Sequence, residues 1–212
     1  MENAIQIIFE LAILVFSVVI HEVSHGYMAL ALGDRTAQFA GRLTLNPMKH
    51  VDPVGSILVP GVLAILGAPI IGWAKPVPFN PYNLRNKKWG PALVGVAGPA
   101  ANIALAIFFG LVIRFSPLLS GVLSEAMLIS FLHIIVMIAF LNLSLAVFNL
   151  VPIPPLDGSK VLVAFLPYQY RNVIYFLEQY GFILIILLLP MISSAISPLI
   201  ERAFSLISGV PL

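Results

Sequence analysis

The sequence predicts an all-α polytopic membrane protein of about four to six membrane helices, with one re-entrant segment and short β-like strands beside a polar cluster. Three observations carry that expectation. Of the 212 residues, 60% are hydrophobic and only 9% are charged, with a mean hydropathy of +1.03, outside the range of water-soluble domains. Apolar runs recur at close to the length, about 20 residues, that a helix needs to cross about 30 Å of hydrocarbon. The polar stretches between them, Gly33 to Asp52 and Gly72 to Pro91, are too short to build a core of their own. A single membrane-embedded domain over residues 1–212 is therefore expected, with its motifs in 13–160 and further helices in 161–212.

The first run spans about Ile5 to Leu32. It lacks a basic leader and a small-residue cleavage site, so it is not expected to be a removable signal peptide. It also carries three ionisable groups in "HEVSH", residues 21–25. The second run, Val54 to Ile71, is interrupted by Gly and Pro and is followed by the proline-rich "GWAKPVPFNPYN"; it is expected to enter the membrane and return. That stretch and "TAQFAGRLTLNP" have extended, β-like character. Each is either an edge that could pair with another extended chain or an ordinary connecting loop.

Ala92 to Ile113 and Ala126 to Leu150 are further spans. The latter ends in "FNLVPIPPLDGSK", residues 148–160, where three prolines in four positions cannot continue a helix. Irregular backbone at membrane depth is tolerated only where it is buried in protein or lines a wet cavity. Gly158 to Leu166 can resume as a short helix. "YQYRNVIYFLEQYG" reads as an interfacial helix leading into the last span, Phe182 to Ile200, and "SPLIERAFSLISG" as a partly amphipathic end piece.

The chain has no cysteine, which excludes disulfides and thiolate metal sites and leaves His, Asp and Glu as possible ligands. On a helix His21 and His25, at i and i+4, lie on one face within reach of a single ion, and Glu22 sits one step round. That is the zinc-hydrolase arrangement: two imidazoles as ligands and the adjacent carboxylate as general base. With four His and six Glu in the chain, a shuffled sequence would contain HExxH on the order of 0.002 times. The alternative is a pair of satisfied core histidines, but ionisable groups inside a membrane helix mark function by default.

Catalytic zinc takes three protein ligands and keeps a position open, so a third must come from elsewhere. His50 lies in a polar loop and His133 in mid-span of the fourth run; a lone His in either setting is more often a packing or surface residue. Asp157, in the broken segment, is the better candidate. It either completes the ligand set or caps the following helix, a role Asp favours; beside HExxH the ligand reading is the stronger.

These motifs together resemble the site-2 protease family of intramembrane zinc metalloproteases. "HEVSH" matches that family's HExxH, "NLVPIPPLDG" its NxxPxxPLDG, and "GPAAN" at Gly98 to Asn102 its glycine-and-asparagine motif on the intervening core helix. "GRLTLNP" and "GWAKPVPFNPYN" are similar to the compact subgroup without PDZ or CBS domains. The resemblance implies one Zn²⁺ held by His21, His25 and Asp157, with Glu22 as catalytic base. Asn149 is implied to position substrate or stabilise an oxyanion, although an Asn at a helix break could equally tie down freed backbone groups. Asn102 is implied to brace the site. The implied reaction is hydrolysis of peptide bonds in or near the transmembrane segment of a single-pass membrane protein, in a prokaryotic plasma membrane.

If HEVSH and Asp157 meet one ion, the first and fourth runs must end on the same side, and one of the two runs between them cannot cross. Val54 to Ile71 is the candidate. Under that topology Arg35, Arg42, Lys49, Lys75, Arg85, Lys87, Lys88, Lys160 and Arg171 share the motif side, and only Arg114 and Arg202 lie opposite. Lys and Arg concentrate on the cytoplasmic side, so the active site is expected to face the cytoplasm with both termini outside. No basic cluster suits a nucleic acid, and no pattern here encodes an oligomeric state. Two other classes compete: a metal transporter using the same ligands, which would not need Glu22, and an inactive adaptor binding transmembrane helices, against which the intact motif set argues.

Overall fold

A computed structural model describes residues 2–65, 72–119 and 124–211. Among these, four helices are long and apolar enough to cross a membrane: Gln6–Ala31, Gly90–Arg114, Glu125–Asn149 and Asn172–Ser208. In lipid every backbone N–H and C=O must find its partner within the chain, which is why apolar sequence of this length becomes helix. The helices are α1 (Glu2–Ala31), the single turn α2 (Thr36–Phe39), α3 (Val59–Ile65), α4 (Gly90–Arg114), α5 (Glu125–Asn149), the short α6 (Gly158–Phe165) and α7 (Arg171–Ser208).

Local signals set the ends. Beyond α1, Gly33 takes φ +106° and turns the chain. Ser124 caps α5 by accepting the Met127 N–H, and α7 stops at Gly209 with φ +75°. α4 is central, packed against α1, α5, α6 and α7. Its far half forms the main apolar core with α5 and α7, through Ala106, Ile113, Ile135, Ala139, Leu143, Ile200 and Phe204.

The order of contacts fixes direction. Ser17 of α1 and Asn142 of α5 meet at one level, and His21 and Asp157 meet at another, farther toward both helices' C-terminal ends. α1 and α5 are therefore parallel, with α4 the one described span between them. The start of the second apolar run and the chain beyond it lie side by side: the Trp73 N–H bonds to the Gly55 carbonyl (3.1 Å) and the Lys75 N–H to the His50 carbonyl (2.9 Å). The expected re-entrant segment there begins as a wide π-type turn over Pro53–Leu58 followed by α3, and its last residues, 66–71, lie outside the described ones. Arg114 donates to the Leu206 carbonyl, bringing the C-terminal ends of α4 and α7 together at the opposite pole.

The expected β-like strands do not form; no strand occurs among the described residues. In residues 36–47 the Asp34 carboxylate accepts both the N–H and the hydroxyl of Thr36, which starts a helical turn. Asn46 likewise caps the turn Pro47–Lys49. In residues 72–80 the backbone is extended, but Pro76 and Pro78 have no N–H to give, and the Val77 and Asn80 N–H groups are taken by the Glu22 and Asp34 side chains. A ladder needs those donors, and side chains hold them. The C-terminal third also differs: the interfacial helix, last span and end piece are one helix, α7, whose 38 residues extend about 57 Å at 1.5 Å each. Pro190 and Pro198 lie within it.

Asp34 anchors this loop layer. It is fully buried and accepts from the Asn80 N–H (2.6 Å), the Asn83 amide (3.0 Å) and Thr36. Burial pushes its carboxyl up, but the bonds from Thr36, Asn83 and Asn80 outweigh that and hold it below the usual range. A depressed carboxyl stabilises the fold above its unfolded pKa of about 3.9 and loses that contribution as pH falls through the lower folded value. Asp34→Asn is expected to cost about 1–3 kcal/mol near neutral pH and to flatten the loss of stability below about pH 4. Thermal melts of both proteins across that range check it; parallel curves would refute the role.

Candidate metal centre

His21 and His25 project from one face of α1, their rings edge to face with centroids 4.6 Å apart. The Nε2 atoms of both lie 3.0 Å from Oδ2 of Asp157. All three residues are buried, and one ligand atom from each falls within 4.8 Å of the others. The HExxH histidines and the proline-broken segment thus converge. Asp157 occupies the N-cap position of α6, but its side chain makes no capping bond and turns to the histidines instead. Its other oxygen, Oδ1, accepts from Lys160 Nζ at 2.7 Å.

The bonds behind the cluster place the Nδ1 hydrogens. His25 Nδ1 lies 2.6 Å from the Val94 carbonyl, an oxygen that can only accept, so Nδ1 carries the hydrogen. His21 Nδ1 lies 2.6 Å from Asn102 Oδ1. The orientation of that amide follows from a chain of contacts. Asn142 Nδ2 donates to the Ile138 carbonyl and to Ser17 Oγ, both at 2.9 Å, so Asn142 Oδ1 faces Asn102 and accepts its Nδ2 at 2.7 Å. Asn102 then presents Oδ1 to His21. With Nδ1 holding the hydrogen, each imidazole in its neutral form turns an Nε2 lone pair toward the carboxylate oxygen, and two such nitrogens with one carboxylate oxygen are a donor set that suits Zn²⁺.

The backbone leaves room for an ion. A Cβ added at Gly98 of α4 would come within 2.5 Å of His25 Nε2 and 2.6 Å of His21 Nε2. The glycine of "GPAAN" is therefore a cradle that a methyl group would fill.

The remaining sequence candidates separate clearly. Glu22 is half-buried beside the cluster and accepts the Val77 N–H through Oε2 at 2.8 Å. Asn149 donates to the Leu145 carbonyl of its own helix at 2.9 Å. His50 is buried in the loop layer with Nε2 on the Thr44 carbonyl, and His133 is exposed on α5; neither joins the cluster. Sequence reasoning did not reach Ser17, Asn142, Lys160 or Val77. Ser17, Asn102 and Asn142 were detectable as polar residues on three separate spans, a pattern that marks function in membranes.

A family model for peptidase family M50 matches residues 116–189, which include Asp157 but not His21 or His25. A Bacillus subtilis protein named as a zinc metalloprotease, YwhC, is 37% identical over 193 residues, covering 89% of this chain and 84% of that protein. Rip2 of Mycolicibacterium smegmatis, also named as a zinc metalloprotease, is 31% identical over 89% of this chain and 66% of its own length. Rip2 of Mycobacterium tuberculosis strain H37Rv is 29% identical over 92% and 71%. No solved structure matches the chain.

Gly98→Ala is expected to lower zinc affinity by on the order of 10- to 100-fold, because the methyl group can be accommodated only by moving the ligand rings. Metal analysis and chelator competition on purified protein read this directly. Wild-type affinity in a folded Gly98→Ala protein would mean that the ion lies elsewhere.

Proposed function

The chain belongs to peptidase family M50 and is a zinc metalloprotease of the intramembrane, site-2 protease type; from that membership we propose that His21, His25 and Asp157 hold the zinc and that Glu22 is the catalytic base. The observation that carries the assignment is the meeting of two Nε2 atoms and one carboxylate oxygen at 3.0 Å, with both Nδ1 hydrogens turned outward. When bound, zinc supplies a Lewis acid that makes water more acidic and polarises a carbonyl. Glu22 takes a proton from the attacking water and delivers it to the leaving amine as the C–N bond breaks. Val94 and Asn102 orient the two imidazoles, and Lys160 holds Asp157 so that one oxygen is turned to the histidines. Asn149, at the helix break, is assigned to positioning the substrate or stabilising the oxyanion, for which its amide would have to leave the Leu145 carbonyl.

The substrate we propose is a single-pass transmembrane protein, cut within or near its membrane segment as a step of regulated intramembrane proteolysis. The cluster's depth supports that class: His21 lies ten residues before Ala31, the end of its helix, or about 15 Å at 1.5 Å each. A helical substrate hides its carbonyls in i to i−4 bonds, so it must unwind locally before attack. We place this single membrane-embedded domain in a prokaryotic plasma membrane; the distribution of Lys and Arg supports a site that opens toward the cytoplasm, with Val54 to Ile71 dipping into the membrane from that side.

Two experiments test the proposal. Glu22→Gln is expected to abolish cleavage of a model membrane-spanning peptide, by at least about 100-fold, while zinc stays bound; retained cleavage would remove Glu22 as base. The chain has no cysteine, so single replacements report sidedness cleanly. In intact cells a membrane-impermeant maleimide should label Arg202→Cys and leave Lys87→Cys unlabelled until lysis. The reverse pattern would invert the orientation.

A further inference from the structure

Glu22 has a partner that neither the metal ligands nor the helix supplies. Its Oε2 accepts the backbone N–H of Val77 at 2.8 Å. Val77 stands between Pro76 and Pro78, so it carries the one N–H in three consecutive residues, and that donor points at the carboxylate. We propose that the Val77 N–H is a positioning group for the catalytic base: it holds Oε2 and leaves Oε1 for the attacking water. The inference rests on the reading of Glu22 as base.

The donor is held from both sides. Upstream, the Lys75 N–H bonds to the His50 carbonyl at 2.9 Å, and its carbonyl accepts Arg42 Nη2 at 2.6 Å. Downstream, the Asn80 N–H bonds to Asp34 at 2.6 Å. The flanking prolines restrict φ and keep the preceding residues extended, so the N–H cannot swing away. The Val77 side chain is 6% exposed and packs on α1 at Gly26, where an added Cβ would lie 2.9 Å from Val77 Cγ1. Gly26 is one turn beyond Glu22, so the same close approach that seats the valine brings its amide to the base.

A glutamate side chain otherwise samples many rotamers, and fixing it in advance removes that entropy from the barrier. A hydrogen bond to an ionised oxygen is among the stronger ones a backbone amide makes. The loop layer thereby sets where the base stands.

The test uses the full-length, zinc-loaded protein and a membrane-spanning peptide substrate. Val77→Ala trims the side chain and keeps the donor, so it serves as reference; Val77→Pro removes the donor. Relative to the reference, kcat is expected to fall about 10- to 100-fold in Val77→Pro, with KM and zinc content within a few-fold. If Val77→Pro does not fold, judged by its thermal transition, α-hydroxyvaline introduced at position 77 takes its place, since the ester replaces N–H by O without the ring. Equal kcat with and without the donor, or a loss confined to KM, overturns the proposal. Glu22→Gln run in parallel separates the two readings: an active Glu22→Gln protein overturns the base assignment itself, whereas an inactive one with equal kcat in the Val77 pair overturns only the positioning role.

Discussion

The meeting of two imidazoles and one carboxylate inside an apolar helix bundle is the constraint around which this fold is arranged. A cation held among neutral His21, neutral His25 and Asp157 would tie α1 to the α5–α6 break. The rest of the architecture follows from making that meeting possible. α1 and α5 must run parallel, so α4 crosses between them. α5 must end before Asp157, which the prolines at 152, 154 and 155 enforce. α4 must come close enough to support both rings, and Gly98 permits it.

The support behind His21 is built from neutral groups. In water-soluble zinc enzymes a carboxylate often accepts from a ligating histidine. Here Asn102, Asn142 and Ser17 form the chain, each buried and each contributed by a different span. A carboxylate at the position of Asn102 would place a second negative charge close to Asp157 in a medium that cannot screen it. The amide supplies the acceptor without the charge, and its own donor is satisfied by Asn142. The orientation starts from a backbone carbonyl, Ile138, whose polarity cannot invert, so the tautomer of His21 is inherited from the secondary structure of α5.

What was legible in the sequence were the features governed by period and composition. Helical spacing placed His21 and His25 on one face, apolar length marked the four spans, and three clustered prolines located the break that carries Asp157. Features set by long-range partners were not legible. The stretch 72–80 has β-like composition, yet the Glu22 and Asp34 carboxylates take the N–H groups a strand would need from positions tens of residues away; in 36–47 the competitors are local, Asp34 and Asn46 each starting a turn two residues on. The three separate pieces expected after residue 166 fuse into α7 because prolines inside a helix can be tolerated where neighbours pack against it, a matter of tertiary surroundings. Asn142 is one of several polar residues in its apolar run; its contacts with Asn102 and Ser17 set it apart.

The proposed metal ligands and the proposed base hang on different supports, although His21 and Glu22 are adjacent in sequence. The two rings are oriented from α4, through Val94 and Asn102, deep in the bundle. The Glu22 carboxylate is held from the opposite side by the proline-rich loop, which is fastened through Asp34, His50 and Arg42. A helix rotates successive side chains by about 100°, so neighbours on α1 necessarily face different surroundings. On the proposed assignment, that rotation lets one turn of helix serve two tasks, ion binding toward the core and proton transfer toward the loop layer. The two would then be separable: changes in α4 or α5 would act first on ion retention, and changes in residues 72–80 on the placement of the proposed base.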